Sequence, residues 1–227
     1  MKIAVITAIF GGKDTPKPFP AQSVECDYYC FTEANSPVPL PNLPDRLKAK
    51  YFKLQAHRVL PGYDAYVWID GNIEVKSADF VKVMTEGLDG IRIQRHHERE
   101  TIKEEIDFIL ASENEYLTTR YGAQPLKEEY EYYLSQEMPE DAPLYSCNVF
   151  SYRNKDRVNT GSNCLFFNSW WNLVLAWSWF DQSAFSFLAE VCSGIKSFWV
   201  PEVETINLGP MFDNPYFTLH PHTKALG

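Results

Sequence analysis

The stretch YVWIDGNIEV, residues 66–75, decides how the rest of the chain is interpreted. Its first four residues are aromatic or β-branched, as in a buried strand, and they lead directly into Asp70, Gly71 and Asn72. One interpretation is a hairpin turn, in which Asp and Asn bond their own backbone and Gly supplies a positive φ. The other places two oxygen ligands, Asp70 and Asn72, at the carboxyl end of a core strand, where open α/β sheets bind ligands.

The second interpretation implies a particular chemistry. Hard cations such as Mg²⁺ and Mn²⁺ prefer oxygen ligands and often share them with the phosphates of a substrate. The tripeptide by itself favours the turn, so the choice depends on the rest of the chain.

The composition excludes several classes of protein. A length of 227 residues suits one large domain, residues 1–227, and a content of 45% hydrophobic and 15% aromatic residues is far from that of a disordered chain. The net charge of −9 argues against a nucleic-acid-binding or anionic-membrane surface. A ligand that carries phosphate must therefore meet a local basic patch.

The cysteines and the first residues indicate the compartment. Five cysteines occur without a zinc-binding or paired CxxC spacing, and we expect reduced thiols in a cytoplasmic protein. The segment MKIAVITAIFGG has too short an apolar run for a signal peptide and predicts the first strand. No window has the length of a membrane-spanning helix, so we expect no integral membrane segment.

A basic helix is predicted between Leu43 and Leu60. Its residues Arg46, Lys50, Lys53 and His57 recur at i, i+4, i+7 and i+11, which places them on one face. In a chain this acidic, such a concentration of basic residues indicates an anion site. A solvated basic face is the alternative, and the two are about equally supported.

Strand and helix patterns alternate along the chain. Helices are also predicted at 78–86, 98–111, 125–136, 168–178 and 180–192. Strands are predicted at 3–10, 28–32, 144–153, 161–167 and 196–200, and within the segment 89–100, which ends in a cluster of charge. This alternation predicts an α/β fold with a mainly parallel central sheet and helices on both faces. The ligand site should then lie at the carboxyl ends of the strands, where Asp70 stands.

Seven blocks of the sequence, in this order, resemble the signature blocks of a known family. They are VITAIFGGKD, CDYYCFTE, RLKAKYFKLQAH, YDAYVWIDGNIEV, RHHERETIKEEI, QEMP and FDQSAFSF. The family is glycosyltransferase-like, occurs in plants and microbes, and was formerly catalogued as a domain of unknown function. The resemblance spans residues 2–189 and implies the GT-A fold of nucleotide-diphospho-sugar transferases.

The resemblance implies a donor site around the first strand and the Asp70 turn. Asp70 and Asn72 match the ends of the DxD-type motif that holds Mn²⁺ or Mg²⁺ against the donor diphosphate. Thr7, Ala8 and Gly11 match the segment that lies along the nucleoside.

The resemblance also places a carboxylate near the nucleoside. Glu33 stands where such a carboxylate meets the base or ribose. The family usually has Asp at this position, which leaves the nucleotide preference open, with a UDP-sugar as the first expectation.

Further roles follow from the last blocks. FDQSAF matches the block at the sugar-transfer centre and makes Asp181, with Gln182, the leading catalytic candidate; capping the following helix is the other role for Asp181. In the glycogenin-like branch a late His completes the metal site, and His220 or His222 fits that role. A solvent-exposed tail is a comparable interpretation.

The charged block around residue 100 has two interpretations. The family resemblance makes Arg99 and Glu105 a substrate-side pair, whereas a purely structural ion pair is nearly as well supported. His96 and His97 do not have the HExxH spacing of a zinc site.

These features together predict a metal-dependent glycosyltransferase for polysaccharide biosynthesis. It would move a sugar from a nucleotide-diphosphate donor to a glycan or other hydroxyl acceptor. One alternative is a catalytically silent module that binds a nucleotide sugar or a glycan. Another is a metal-dependent phosphohydrolase that uses Asp70 and the His96–His97 pair.

Overall fold

The computed structural model describes residues 1–40, 42–154, 162–194 and 201–222. The strands of this part are β1 (Ile3–Ala8), β2 (Asp27–Phe31), β3 (Ala65–Ile69), β4 (Ile73–Val75), β5 (Ile91–Arg95), β6 (Tyr145–Arg153), β7 (Val203–Thr205) and β8 (Phe217–Leu219). The helices are α1 (Asp45–Leu54), α2 (Ala56–Val59), α3 (Phe80–Thr85), α4 (Ile102–Ala111), α5 (Glu115–Tyr121), α6 (Leu126–Ser135), α7 (Ser162–Ala176) and α8 (Asp181–Gly194).

Six strands form the central sheet, in the order β2-β1-β3-β6-β5-β7. β1 runs parallel to β2 and β3, and β5 runs parallel to β7. β6 is antiparallel to both of its neighbours, β3 and β5. Five strands therefore share one direction, which confirms the predicted mainly parallel α/β sheet.

Both faces of the sheet are covered, as the continuous apolar runs of its central strands require. Every residue of β1 and β3 is buried. On one face, Ala4 and Ile6 pack in a cluster with side chains of α1, α7 and α8. On the other, Ile3 and Val5 pack in a cluster with α3 and the β4–β8 ribbon. Helices on both faces are confirmed, although the second face has a single short one among the described residues.

Three local predictions need correction or fall outside the description. Residues 161–167 were expected to form a strand, but α7 begins at Ser162 and continues through the apolar run that follows. A short apolar run cannot distinguish a strand from a buried helix by period alone. α5 and β7 were not foreseen, and the strand predicted at 196–200 lies outside the described residues.

The turn after β3 does not connect the two strands of a hairpin. Ile73 N donates to Asp70 O over 3.0 Å, so a turn is present, but β4 pairs with β8 and the hairpin interpretation is wrong. Gly71 does not have a positive φ. A Cβ at Gly71 would instead lie 2.6 Å from Cγ1 of Ile9. Glycine is needed here because the loop after β1 packs directly against the turn.

Candidate functional site

A cavity of about 640 Å³ opens at the carboxyl ends of β1 and β3. Ala8 lines it from the end of β1 and Gly11 from the loop that follows, and Asp70 and Asn72 line it from the turn after β3. Its size is within the range of small-molecule sites, and its position is where open α/β sheets bind ligands.

The cavity wall differs in charge from the rest of this acidic chain. Its charged residues comprise five basic and four acidic side chains, and His222 adds an imidazole. These side chains are Lys13, Arg46, Lys50, Lys53, Arg120, Asp14, Asp45, Asp70 and Asp181. The cavity is thus a local basic patch of the kind that a phosphate ligand would require in a chain of net charge −9.

α1 supplies three of the basic residues. Its apolar side is buried, which turns Arg46, Lys50 and Lys53 towards the cavity. His57 departs from the prediction, because α1 ends at Leu54 and α2 begins after Gln55. His57 is fully buried beside the hydroxyl of Tyr152, and burial lowers its pKa to about 4. It is a core histidine and does not line the cavity.

Asp181 lies at the start of α8 and holds two lysines of α1. Its carboxylate lies 2.8 Å from Nζ of Lys50 and 2.8 Å from Nζ of Lys53. Burial by itself acts to raise the pKa of Asp181, but the two ammonium groups outweigh it and hold that pKa well below its usual range. Asp181 is therefore an ionised, buried carboxylate in the cavity wall.

The two lysines respond differently to the same carboxylate. Burial lowers the pKa of Lys50 to about 8, against the opposing effect of Asp181. Burial also acts to lower the pKa of Lys53, yet Asp181 and Asp70 together outweigh it and raise that pKa. Lys53 Nζ lies 3.4 Å from Oδ1 of Asp70, which also accepts a hydrogen bond from Trp68 Nε1 over 2.7 Å.

A second basic group is formed by Lys13, Arg46 and Arg120. Arg46 Nη1 donates to the backbone oxygen of Arg120 over 3.3 Å, and the guanidinium lies 5.3 Å from the ring centre of Trp179. Burial, with the charges of Arg120 and Arg46, lowers the pKa of Lys13 to about 8. Positive charge is thus concentrated on this part of the wall.

Two of the predicted metal ligands, Asn72 and His220, are held by hydrogen bonds within the protein. Asn72 Nδ2 donates to His220 O over 2.8 Å, and His220 Nε2 lies 2.7 Å from Glu74. His220 does not line the cavity; His222 does, and its Nδ1 is bonded to Asp14 at 2.9 Å. Through the described ranges, no three His, Cys, Asp or Glu residues are grouped to hold a metal ion.

These residues fit a divalent cation only if a bound substrate supplies some of its ligands. Mg²⁺ and Mn²⁺ need several oxygen ligands, and Asp70 is the one carboxylate here that belongs to the predicted metal motif. The remaining ligands would have to come from the phosphates of a bound substrate. The placement of His220 does not favour the role predicted for it, and His222 is the histidine of this segment that faces the cavity.

Three other predicted residues lie beside the cavity without lining it. Thr7 is buried within β1, and its hydroxyl has no hydrogen-bond partner. Glu33 is exposed and accepts a hydrogen bond from Gly11 N, so it shapes the loop after β1. Gln182 Nε2 donates to Tyr145 O over 3.1 Å and ties α8 to β6. The expected contacts of these residues with a nucleotide or sugar stay predictions.

The Arg99–Glu105 pair is present and lies away from the cavity lining. Arg99 also packs over the ring of Phe108 at 4.2 Å. His96 Nδ1 accepts a hydrogen bond from Arg99 N over 3.2 Å, which is a structural role within this loop. The structure therefore does not bring the histidine pair to Asp70, as the phosphohydrolase alternative would need.

Several cavity residues were not predicted from the sequence. Arg120 comes from α5, a short helix without a clear apolar period, and Trp179 from the segment between α7 and α8. Lys13 had a usable signal, because it directly follows the two glycines after β1 within the first family-like block.

Gly11 has φ +68°, and a Cβ there would lie 2.7 Å from Oδ2 of Asp45.

The structure is that of an α/β protein with a cavity of small-molecule size at the carboxyl edge of its sheet. No protein-family model and no curated protein sequence matches the chain. Among solved structures it is similar to the apo form of WbbM, a bifunctional glycosyltransferase, at 12% identity and a TM-score of 0.41. The match covers 81% of this chain and 28% of that chain, so this chain spans less than a third of WbbM. A likeness at this level assigns no activity.

Over the described residues, no helix combines the length and apolar character needed to cross a bilayer.

Proposed function

We propose that the cavity binds a nucleotide-diphosphate sugar and that the protein transfers the sugar to a hydroxyl acceptor, such as a glycan. The observation that carries this proposal is the meeting of the basic face of α1 with the Asp70 turn at the carboxyl ends of β1 and β3. An acidic protein has no general affinity for phosphates, so a basic cavity at this position favours a specific anionic ligand.

The charges of the cavity suit the chemistry of glycosyl transfer. As the bond between sugar and diphosphate breaks, negative charge grows on the leaving group. Fixed cations stabilise such charge most effectively where water is excluded. Lys50 and Lys53 are almost completely buried beside Asp181, and Arg46 lines the same cavity. A UDP-linked sugar is the first donor to test.

Asp181 has a narrower role than the sequence suggested. A general base needs a pKa near the working pH, whereas the lysines hold the pKa of Asp181 far below it. We assign Asp181 to positioning Lys50 and Lys53 and to placing a fixed negative charge near the positive sugar carbon of the transition state. Deprotonation of the acceptor hydroxyl then requires a different group.

A divalent cation belongs to the proposal in a limited form. Mn²⁺ or Mg²⁺ would be held by Asp70 together with the donor phosphates, and it would supply Lewis-acid stabilisation of the leaving diphosphate. Because the protein contributes few ligands, we expect weak metal binding to the free protein and tighter binding once nucleotide is present. Calorimetry that finds tight binding of Mn²⁺ to the free protein would contradict this expectation.

A catalytically silent binding module is the second candidate. It is favoured by one observation, namely that the leading catalytic carboxylate is fully engaged by two lysines. This candidate predicts nucleotide-sugar binding without transfer to any acceptor and without hydrolysis.

The proposal is tested by thermal shift with UDP-, GDP- and CDP-linked sugars, each with Mn²⁺ and with EDTA, followed by a transfer assay with the donor that binds. A ligand that binds the native state raises the melting temperature. Asp70→Asn should reduce the shift seen with Mn²⁺. Asp79→Asn, an exposed carboxylate at α3 outside the cavity, should not. The absence of a shift with every nucleotide would refute the proposal, and binding without transfer would select the silent module.

A further inference from the structure

Arg46 and Arg120 are held by groups that carry no formal negative charge. Arg46 bonds a backbone oxygen and lies over the ring of Trp179. Arg120 bonds the hydroxyl of Tyr116 and lies 5.6 Å and 5.0 Å from the ring centres of Tyr116 and Tyr121. Its Nε is buried without a hydrogen-bond partner. Rings and carbonyl groups orient both guanidinium groups but do not neutralise them.

Two other arginines of the chain are paired with carboxylates. Arg92 makes a two-pronged ion pair with Glu204, and Arg99 pairs with Glu105. For Arg46 and Arg120, by contrast, no carboxylate lies within 4.0 Å of the guanidinium in the ranges that the structure describes. Burial and the charge of Arg120 lower the pKa of Arg46, whereas the pKa of Arg120 is raised against the effect of burial by Tyr121, Tyr116 and, at longer range, Asp181.

Two partly buried cations in the wall of one cavity are costly unless an anion completes them. Both guanidinium groups line the cavity, and Lys13 lines the same part of its wall. A guanidinium offers a planar pair of donors that matches two phosphate oxygens, which makes arginine the preferred residue for phosphate recognition. A ligand with two adjacent phosphates would satisfy both groups at once.

We propose that Arg46 and Arg120 form the subsite for the donor diphosphate and that this subsite holds it without a divalent cation. The inference rests on the proposed function and goes beyond it, because it assigns the neutralisation of the diphosphate to the protein's own cations. The state of Asp70 agrees with it: its Oδ1 already accepts from Trp68 and lies against Lys53, so a cation there is an addition to the subsite.

The test measures binding of UDP and of inorganic pyrophosphate by calorimetry in EDTA. We expect both to bind the wild type. Arg46→Gln and Arg120→Gln should each weaken binding by about tenfold or more, the usual effect of losing a charged hydrogen bond. Arg46→Lys should recover part of the loss, because it keeps the charge without the paired donors. Arg58→Gln, an exposed arginine of α2 outside the cavity, is the control and should bind as the wild type does.

The outcomes separate the subsite from the proposed function. Binding that appears with Mn²⁺ and is absent in EDTA would overturn the subsite and leave the glycosyltransferase proposal standing. Binding in EDTA that is unchanged in Arg46→Gln would also overturn it. If Arg120→Gln fails to fold, Arg46→Gln decides, since Arg120 has a buried Nε whereas Arg46 bonds a backbone oxygen at the cavity wall. No nucleotide binding under either condition would refute both proposals.

Discussion

Two groups of basic side chains line one cavity, and they are held in opposite ways. Lys50 and Lys53 share the carboxylate of Asp181 at 2.8 Å each. Arg46 and Arg120 are held by aromatic rings, a carbonyl oxygen and a hydroxyl. The difference separates cations that are paired with a buried carboxylate of the protein from cations that have no carboxylate in contact among the described residues. Sequence spacing along α1 makes Arg46, Lys50 and Lys53 look equivalent, and only their partners distinguish them.

The largest expected effect is loss of stability in Asp181→Asn. Removal of the carboxylate leaves the buried ammonium group of Lys50 without its ion-pair partner and leaves Lys53 with Asp70 at 3.4 Å, which should lower the free energy of unfolding by about 3–5 kcal/mol. Asp45→Asn is the matched control, since Asp45 lines the same cavity but is half exposed and pairs only with Lys48, at a cost below about 1 kcal/mol. Urea denaturation measures both. Coincident curves would show that the lysines do not depend on Asp181.

The next effect is an inequality between the two lysines. Lys53→Met should cost about 3 kcal/mol, because the folded state favours the charge of Lys53 strongly enough to raise its pKa. Lys50→Met should cost about 1 kcal/mol or less, because the folded state already lowers the pKa of Lys50. Equal losses in denaturation midpoint would mean that Asp181 holds the two lysines alike.

A smaller effect is expected outside the cavity. Gln182→Ala removes one hydrogen bond between α8 and β6 and should cost about 1 kcal/mol of stability. Its affinity for UDP should equal that of the wild type, because Gln182 does not line the cavity. A loss of UDP affinity in calorimetry would show that Gln182 contributes to ligand binding and would support the role predicted for it from the sequence.

The smallest effect concerns pH. The pKa of Lys13 is lowered to about 8, so this residue loses its proton, and its attraction for phosphate, as the pH rises through that value. We expect affinity for UDP to fall by about twofold to fivefold between pH 7 and pH 9, the worth of one partly exposed charge pair. Burial also lowers the pKa of Lys50 to about 8, so Lys50 adds the same pH dependence to the wild type and to a variant at position 13.

Lys13→Arg isolates the contribution of Lys13, because arginine keeps its charge through this range. The variant should therefore show a flatter pH dependence of UDP affinity than the wild type. Identical profiles for the two proteins would show that Lys13 does not act on the ligand.

Much of the fold was accessible from sequence because its signals are local. The strands β1 and β3 are continuous apolar runs, and α4 buries Ile102, Ile106 and Ile109 as its period predicts. The partner of β4 was not accessible, since the pairing with β8 joins residues that are more than 140 positions apart. Local turn chemistry suggested a hairpin and could not exclude a distant partner.

The site was predicted where one element carries it and missed where several elements meet. Asp70 and the face of α1 follow from one strand and one helix. The prediction for His57 was wrong because the helix is interrupted at Gln55. Residues after this interruption do not continue the face that carries the basic residues of α1. Arg120 comes from a helix of seven residues, and its place in the cavity depends on tertiary packing.

The bond between His222 and Asp14 joins residues 208 positions apart. Nearby, Asn72 is tied to His220 through both its backbone oxygen and its side chain. During synthesis, therefore, the strands β1 to β6 and the basic helix α1 emerge well before the segment that closes this side of the cavity. In a nascent chain that ends before residue 220, Arg46, Arg120 and Asp70 would lie in a cavity that is open to solvent on this side. Such long-range closure is slow in folding, so the binding pocket should be among the last features to mature.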